Sequence, residues 1–167
     1  DSSTLRRSVT SVKNSGINMN IFILDTEPKY AAQAHADKHV VKMILESAQM
    51  LSTVLGQGYK ATHKNHPCTL WTARSRDNAE WLYELASHLN DEYKRRYKHT
   101  VSHKSWDVIR HYHNAQARRI LENSGLTPFA LAMPDEYKSD DAVASYRAYY
   151  RSKPFVGWSH GPEPEWW

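Results

Sequence analysis

The chain has 167 residues, of which 40% are hydrophobic and 24% are charged, a composition typical of one soluble globular domain. Its single cysteine, Cys68, excludes an internal disulfide framework and fits a reducing, cytoplasmic location, and no apolar run reaches the roughly 20 residues that span a bilayer. The net charge of +4 favours anionic partners such as nucleic acid, although a mildly basic surface without any partner has the same composition.

The first 18 residues are rich in serine and basic side chains and poor in large apolar ones. Such a segment buries too little surface to offset the entropy lost on ordering, so residues 1–18 are predicted to be a disordered leader or upstream extension. The composition also resembles that of a transit peptide. We favour upstream sequence before a native start at Met19, and expect a single helical domain over residues 19–167.

Residues 19–25, MNIFILD, form a short apolar run before the Asp-Thr-Glu-Pro sequence. Their length and β-branched content favour a strand or an extended buried segment over a helix. We therefore expect the domain to begin with an extended segment.

The rest of the chain is predicted to be mostly α, a compact bundle of about four helices. Proline near helix starts and glycine after helix ends set the expected boundaries. The aromatic residues of the C-terminal tail, 154–167, predict that it packs back on the domain. The predicted helices run from Pro28 to about Leu55, from Asp77 to about Tyr97, from about Ser105 to Asn123, and from Ser139 or Asp140 to about Ser152, with loops at 59–70 and 127–138.

The first predicted helix carries a narrow file of polar side chains. At 100° per residue these side chains fall within about 80° of one another, and apolar residues border the file on both sides. A plain solvated face would be wider, so the file is predicted to line a cleft. Its members are His35, His39, Lys42, Glu46 and Gln49, with Lys38 at the edge.

Imidazole, amine and carboxyl groups in one file suit acid–base chemistry, because each neighbour shifts the pKa of the next. The alternative is a half-buried ion-pair network in which Lys42 and Glu46 form an ordinary i,i+4 pair. We predict a catalytic role for five of these residues, namely His35, Lys38, His39, Lys42 and Glu46.

A metal site at His35 and His39 is the alternative interpretation of the same helix, because i,i+4 spacing places two imidazole nitrogens on one ion. Lys38 stands between the two histidines and would repel a cation. No further ligand has a diagnostic spacing. We therefore predict no cofactor and keep the two-histidine metal site as the alternative.

Further candidates for substrate or nucleic-acid binding lie in the following loop and on the second helix. The loop combines imidazole, basic and aromatic groups, which suits stacking and phosphate contacts but also occurs without function. Glu92 and Arg96 have the alternative of a buried bridge between helices, and Cys68 is expected to be a buried thiol. The predicted binding residues are Gln49, His63, His66, Trp71, Asn78, Glu92 and Arg96.

Several segments together resemble a family of small, mostly uncharacterised phage proteins. The resemblance covers about Met19 to Arg151 and includes Ala132-Met133-Pro134 and the SYRAYY stretch at 145–150. It implies an origin inside a host cell but no activity. The segments are MNIFILD (19–25), DKHVVKMILE (37–46), QML (49–51), THKNHPC (62–68), WLYEL (81–85) and NDEYKRRY (90–97).

The chain is more distantly similar to the pyrimidine-dimer DNA glycosylases of the phage endonuclease V type. That resemblance implies a compact all-α fold, a helix bearing a histidine and an active carboxylate, and an imine formed by the free N-terminal amine. Here 18 residues precede Met19, and Asn20 is too large for ordinary Met removal, so we expect no free amine. The resemblance then leaves Lys38 or Lys42 as the amine, since a desolvated lysine beside another cation becomes nucleophilic.

From these patterns we predict a phage-type nucleic-acid-processing enzyme, most concretely an N-glycosylase-like hydrolase acting on damaged or modified DNA or nucleotides. Glu46 would be the general acid or base, and His35 and His39 would position water or protonate the base. Lys38 and Lys42 would hold phosphate. The alternatives are a metal-dependent nucleotide or nucleic-acid hydrolase and a non-enzymatic host- or DNA-binding module; no membrane partner is expected.

Overall fold

A computed structural model describes residues 19–115, 118–119, 121–154 and 156–167. The prediction of a leader over residues 1–18 lies outside the described residues. Two 3₁₀ turns, Tyr112–Asn114 and Asp135–Tyr137, accompany the helices. The described α-helices are α1 (Pro28–Ala34), α2 (Asp37–Leu55), α3 (Pro67–Arg74), α4 (Arg76–Tyr97), α5 (Trp106–Ile109) and α6 (Ala142–Arg151).

The mostly α bundle predicted from the sequence is confirmed, and the described residues contain no strand. Helix α4 is the centre of the bundle and packs against α1, α2, α3 and α5. Its Leu82, Leu85 and Leu89 meet Ile44 and Leu51 of α2 in the buried core. None of the described helices has the length and apolar content needed to cross a membrane.

The N-terminal segment, residues 19–24, is extended and buried, as expected for its apolar sequence. The Asn20 side chain fixes it in place: its amide nitrogen donates to the Ala132 carbonyl at 2.8 Å, and its oxygen accepts the Ile21 N–H at 2.8 Å. The Arg147 guanidinium donates to the Leu24 carbonyl at 3.0 Å. The segment is therefore held against the C-terminal third of the chain and positions Phe22 in the interior.

The prediction of one continuous helix from Pro28 to Leu55 is wrong at His35 and Ala36. Both residues have extended backbone, with ψ of 137° and 153°. The Ala36 N–H donates to the Tyr150 hydroxyl at 2.8 Å, and the His35 carbonyl accepts from Arg96 at 2.6 Å. Backbone groups that would continue the helix are thus satisfied by two other helices, and the chain breaks there.

Two other boundaries differ from prediction, and the second predicted helix agrees with it. The predicted loop at 59–70 contains the start of α3, where Pro67 stands in the first turn and the His66 ring accepts the Cys68 N–H at 3.1 Å. The last helix begins at Ala142, capped by Asp141 and not by Ser139 or Asp140. The second predicted helix, capped by Ser75, is confirmed to within one residue.

The helix predicted from Ser105 to Asn123 is wrong over most of its described length. The described residues are α-helical at Trp106–Ile109 and again at 118–119, but between these two parts Ala115 is extended, with ψ of 122°. The carbonyls of Arg118, Arg119 and Leu121 accept from the Arg76 side chain. A guanidinium on α4 therefore satisfies carbonyls that a continuous helix would have bonded internally.

The aromatic tail packs back on the bundle at the break between α1 and α2. The Trp158 indole N–H donates to the His35 carbonyl at 3.1 Å, and the Asp37 carboxylate accepts the N–H groups of Ser159 and His160. A Cβ at Gly161 would lie 2.5 Å from Arg96 Nε, so only glycine allows this approach. The tail thus covers the start of α2.

Candidate active site

Four predicted site residues remain together on α2: His39, Lys42, Glu46 and Gln49. They differ sharply in exposure. Glu46 is 3% exposed, His39 and Gln49 are half-buried, and Lys42 is exposed. The file therefore contains both solvent-exposed and buried side chains, and the Glu46 carboxyl group is its most buried member.

The Glu46 carboxyl group is buried without a hydrogen-bond partner for either oxygen among the described residues. Burial raises the pKa of Glu46 from 4.5 to about 8, and the charges of Lys42 and Lys153 together with the nearby Asn20 backbone only partly oppose this rise. At neutral pH the group consequently holds its proton. Of the two roles that the sequence left open for Glu46, general acid or general base, a protonated group fits the acid.

The His39 ring is held between an aromatic face and a hydroxyl group. It stacks on Phe22 with ring centroids 4.7 Å apart and planes 12° from parallel, and its Nδ1 lies 2.8 Å from the Tyr150 hydroxyl oxygen. Burial, followed by the charges of His35, Lys153 and Lys42, lowers the pKa of His39 to about 3. The ring is neutral at physiological pH and serves as a hydrogen-bonding group.

Lys153 is a further candidate that the sequence analysis did not identify. Its Nζ lies 4.3 Å from the centre of the Tyr149 ring and 5.6 Å from that of Phe22, which are cation–π distances. Its charge acts on both Glu46 and His39. A signal in the sequence was the spacing of Tyr146, Tyr150 and Lys153, which follow one another by four and three residues as on one helix face.

His35 lies behind the site and not in the polar file, because the helix breaks before α2. It is fully buried, and its Nδ1 is 2.6 Å from the Ala31 carbonyl oxygen. Burial lowers the pKa of His35 to about 4. Both histidines of the alternative metal site thus have Nδ1 engaged by another group, and the described residues contain no cluster of three or more His, Cys, Asp or Glu that could hold a metal ion.

Lys38 and Lys42 are both exposed. Neither is therefore the desolvated lysine that the amine hypothesis requires. Their charges remain available to attract a polyanion to this side of α2.

The loop before α3 lies beside the C-terminal half of α2. The Thr53 hydroxyl on α2 accepts the Thr62 N–H at 3.0 Å, and its own proton is shared between the Gln49 carbonyl at 2.9 Å and the Thr62 carbonyl at 3.2 Å. His63 follows with φ of 50°, and its Nδ1 is 2.8 Å from the Thr62 hydroxyl oxygen. The exposed His63 is thus held next to Thr62, which is bonded to Thr53 on α2.

Other predicted binding residues have internal partners instead. The Asn78 amide donates to the Trp71 carbonyl and the Thr127 hydroxyl, each at 2.7 Å, and accepts the Thr127 N–H. The Trp71 ring is buried against Trp81 and Phe129. These contacts fasten the 126–132 segment to the bundle.

Glu92 and Arg96 form the buried bridge that was the alternative to a site role. Arg96 Nε donates to Glu92 at 2.9 Å and Nη1 to Asp37 at 3.1 Å, while Nη2 reaches the Gln33 carbonyl at 2.8 Å. The His66 ring is likewise engaged internally, as the cap of α3. Cys68 is buried, as expected, and burial raises the pKa of its thiol to about 12.

Among the described residues, the extended segment, α2 and α6 therefore bring together a protonated carboxyl group, a neutral imidazole and an ammonium group. This set can protonate a leaving group, donate a hydrogen bond and attract an anion. It lacks an ionised base at neutral pH, which disfavours reactions that begin with proton abstraction by Glu46.

Comparison with known protein families identified a match over the first part of the bundle. The family model described as pyrimidine dimer DNA glycosylase matches residues 19–105, slightly more than half of the chain. The matched part contains Phe22, His39 and Glu46, whereas Tyr150 and Lys153 follow it. No significant match was found among curated proteins or among solved structures.

Proposed function

The chain belongs to the pyrimidine dimer DNA glycosylase family, and we propose that it removes a damaged or modified pyrimidine from DNA at the Glu46 site. The observation that carries the proposal is the buried carboxyl group of Glu46, which lies within the matched residues and has a pKa of about 8. An acid with that pKa is suited to give its proton to a departing base at neutral pH.

In the proposed reaction the bond between deoxyribose carbon 1′ and the base nitrogen breaks, and its electron pair leaves with the base. Glu46 supplies the proton that neutralises the departing base. Water then bonds to carbon 1′, and the ionised Glu46 takes up the proton that this water releases. The products are an abasic site and the cleaved base, which is free if it was a single modified pyrimidine and stays bonded to its neighbour if it was half of a dimer; the enzyme returns to its starting protonation state.

Lys42 and Lys153 support this proposal electrostatically. Both charges act on the Glu46 carboxyl group and stabilise its ionised form, which exists between the two proton transfers. Lys42 is exposed and Lys153 is half-buried, so both can also approach the phosphates that flank the damaged nucleotide. The same two residues would thus bind DNA and ease the release of the proton.

Because both Glu46 carboxyl oxygens are fully buried, the proposed reaction requires the target nucleotide to leave the base stack and the protein to open at this point. An enzyme that acts on a base inside a duplex reaches it by extruding the nucleotide, at a cost of a few kcal/mol that is smallest for damaged or mismatched bases. Tyr149, which is half-buried beside the Lys153 amine, offers aromatic surface for such a base.

The test is release of damaged pyrimidines from a UV-irradiated duplex by the purified full chain. We expect abasic sites to form in irradiated DNA and not in undamaged DNA of the same sequence. Glu46→Gln should lower kcat by roughly 100-fold or more, since it removes the proton donor. The matched control is Glu84→Gln, an exposed residue on α4. Equal activity of the Glu46→Gln and Glu84→Gln variants would sink the proposal.

A further inference from the structure

The Tyr150 hydroxyl group lies between two nitrogen atoms in the buried interior. The Ala36 N–H donates to it at 2.8 Å, and His39 Nδ1 lies 2.8 Å from it on the other side. Tyr150 is 0% exposed. The hydroxyl therefore has no access to water and must satisfy its own proton with one of these two neighbours.

Only one arrangement of protons satisfies all three groups. The backbone N–H is always a donor, so it occupies one lone pair of the hydroxyl oxygen. The hydroxyl proton must then go to His39 Nδ1, which has to be unprotonated in order to accept it. The reverse tautomer would place three donor protons around one oxygen and leave the hydroxyl proton buried without an acceptor, which costs about 1–3 kcal/mol.

We propose that Tyr150 is a positioning residue that holds His39 as the neutral tautomer with its proton on Nε2, so that the ring presents a hydrogen-bond donor to bound DNA. The role toward DNA rests on the proposed function; the tautomer itself does not. His39 then acts neither as a base nor as a cation. It donates to an acceptor oxygen of the substrate, such as a pyrimidine carbonyl, while Glu46 supplies the proton.

The surroundings of His39 support a neutral ring. The charged and titratable groups that act on it are His35 from the α1–α2 break, Lys42 from α2 and Lys153 after α6, and all three disfavour an imidazolium. Tyr150 in turn keeps its proton, because burial raises the pKa of its hydroxyl well above the usual value. A neutral donor and acceptor pair is therefore maintained across the physiological range.

The second nitrogen of His39 is free to meet a ligand. Nε2 has no hydrogen-bond partner among the described residues, and it is not one of the fully buried atoms that lack a partner. His35 provides the opposite case in the same molecule. Its Nδ1 faces the Ala31 carbonyl oxygen at 2.6 Å and must carry the proton, which leaves its Nε2 unprotonated and buried.

The decisive experiment is nitrogen-15 NMR of the histidine rings in the labelled full chain at pH 7. We expect His39 to show an unprotonated Nδ1 and a protonated Nε2, and His35 to show the reverse, with His39 unchanged down to pH 5. A protonated Nδ1 on His39, or an imidazolium at pH 5, would overturn the proposal without reference to activity. Assignments come from His39→Asn and His35→Asn.

Tyr150→Phe tests the cause of the tautomer. We expect mixed His39 tautomers, whereas Tyr30→Phe, at a residue 54% exposed, should leave the ring spectrum unchanged. An unchanged His39 spectrum in a folded Tyr150→Phe variant contradicts the proposal. If that variant does not fold, the spectrum of the unsubstituted chain still shows whether His39 has the proposed tautomer.

Activity on irradiated DNA tests whether the His39 tautomer that Tyr150 maintains contributes to the reaction. We expect kcat to fall roughly 100-fold in His39→Ala and roughly 10-fold in Tyr150→Phe, with a double variant no slower than His39→Ala alone. Fully additive losses would mean that Tyr150 does not act through His39. If the chain has no glycosylase activity, the proposed function fails and the NMR result still stands or falls separately.

Discussion

Arg96 Nη1 of α4 lies 3.1 Å from the Asp37 carboxylate at the start of α2, with the two side chains only 1% and 9% exposed. The same carboxylate accepts two backbone N–H groups of the C-terminal tail, and Arg96 also pairs with Glu92. One buried ion pair therefore connects the central helix, the break before α2 and the tail. The position of His39, two residues after Asp37, depends on this connection.

Removing the Arg96 cation should destabilise the contact between α4, the start of α2 and the tail. Arg96→Met removes the only cation paired with the buried Asp37 among the described residues and leaves Glu92 with the exposed Arg95 alone, so we expect the free energy of unfolding to fall by about 3–5 kcal/mol. The matched control is Arg95→Met, whose side chain is 62% exposed and should cost less than about 1 kcal/mol. Urea unfolding followed by circular dichroism measures both. Equal losses for the two variants would show that the buried network contributes little.

A methyl group at Gly161 should disturb the docked tail. The added Cβ would lie 2.5 Å from Arg96 Nε, so either the guanidinium or the tail must move. We expect Gly161→Ala to destabilise the protein by about 1–3 kcal/mol and to speed proteolysis of the tail. Gly157→Ala is the control, because nothing lies within 4 Å of its added Cβ. The prediction is wrong if thermal melting does not distinguish the two variants.

The raised pKa of Glu46 predicts a stability change with a definite sign. The folded state binds its proton up to about pH 8 and the unfolded state only up to about 4.5, so stability from this group is lost as pH rises through that window. The free energy of unfolding of Glu46→Gln, minus that of the unsubstituted chain, should therefore be roughly 3–5 kcal/mol larger at pH 9 than at pH 4.5. Unfolding at both pH values measures this, and exposed Glu84→Gln should show no such gain.

His35 predicts the opposite dependence in acid. Its pKa is about 4 in the folded protein and 6.5 in the reference state, so the unfolded chain binds an additional proton between these values. The free energy of unfolding should therefore fall as pH falls from 6.5 to 4, by roughly 3 kcal/mol from this group. His35→Gln should flatten that slope even if it is less stable at pH 7. His111→Gln, at an exposed position, should leave the slope unchanged.

Lys153→Gln should alter both DNA binding and the pH profile of activity. Loss of the ammonium removes a charge that lowers the Glu46 pKa, so the pKa should rise. The alkaline fall of kcat, expected near pH 8, should then move to higher pH. If Lys153 also contacts a phosphate, the salt dependence of binding should weaken by about one unit of slope.

Exposed Lys104→Gln is the control for that experiment. A Lys153→Gln variant with the alkaline limb unmoved would show that Lys153 does not act on the proton donor. Binding by fluorescence anisotropy at several salt concentrations provides the independent readout.

Local sequence was sufficient for much of the fold. The apolar periodicity of α2 and α4 predicted two long helices and their buried faces, because such a pattern has only one way to bury its apolar side. The same periodicity was enough to place His39, Lys42, Glu46 and Gln49 in one file. Residues three and four apart on a helix are neighbours wherever the helix lies.

Tertiary contacts decided what periodicity could not. The helix break at His35 arises because Tyr150 and Arg96, distant in sequence, satisfy backbone groups that a continuous helix would have used. Further along, at 118–121, where the same helix was predicted to continue, the Arg76 side chain donates to backbone carbonyls from a distant helix. A local sequence pattern carries no information on which distant side chain will donate to a backbone carbonyl or accept a backbone N–H in place of the helix's own bonds.

The candidate site was likewise predictable only in part. Helical spacing alone put Glu46 and His39 on one face of a helix. Packing of distant segments was needed to bring Phe22 onto the His39 ring, Tyr150 to its Nδ1 and Lys153 near both, and burial was needed to raise the pKa of Glu46. Proton affinity depends on solvent exclusion and on nearby charges, and these exist only once segments far apart in the chain have come together.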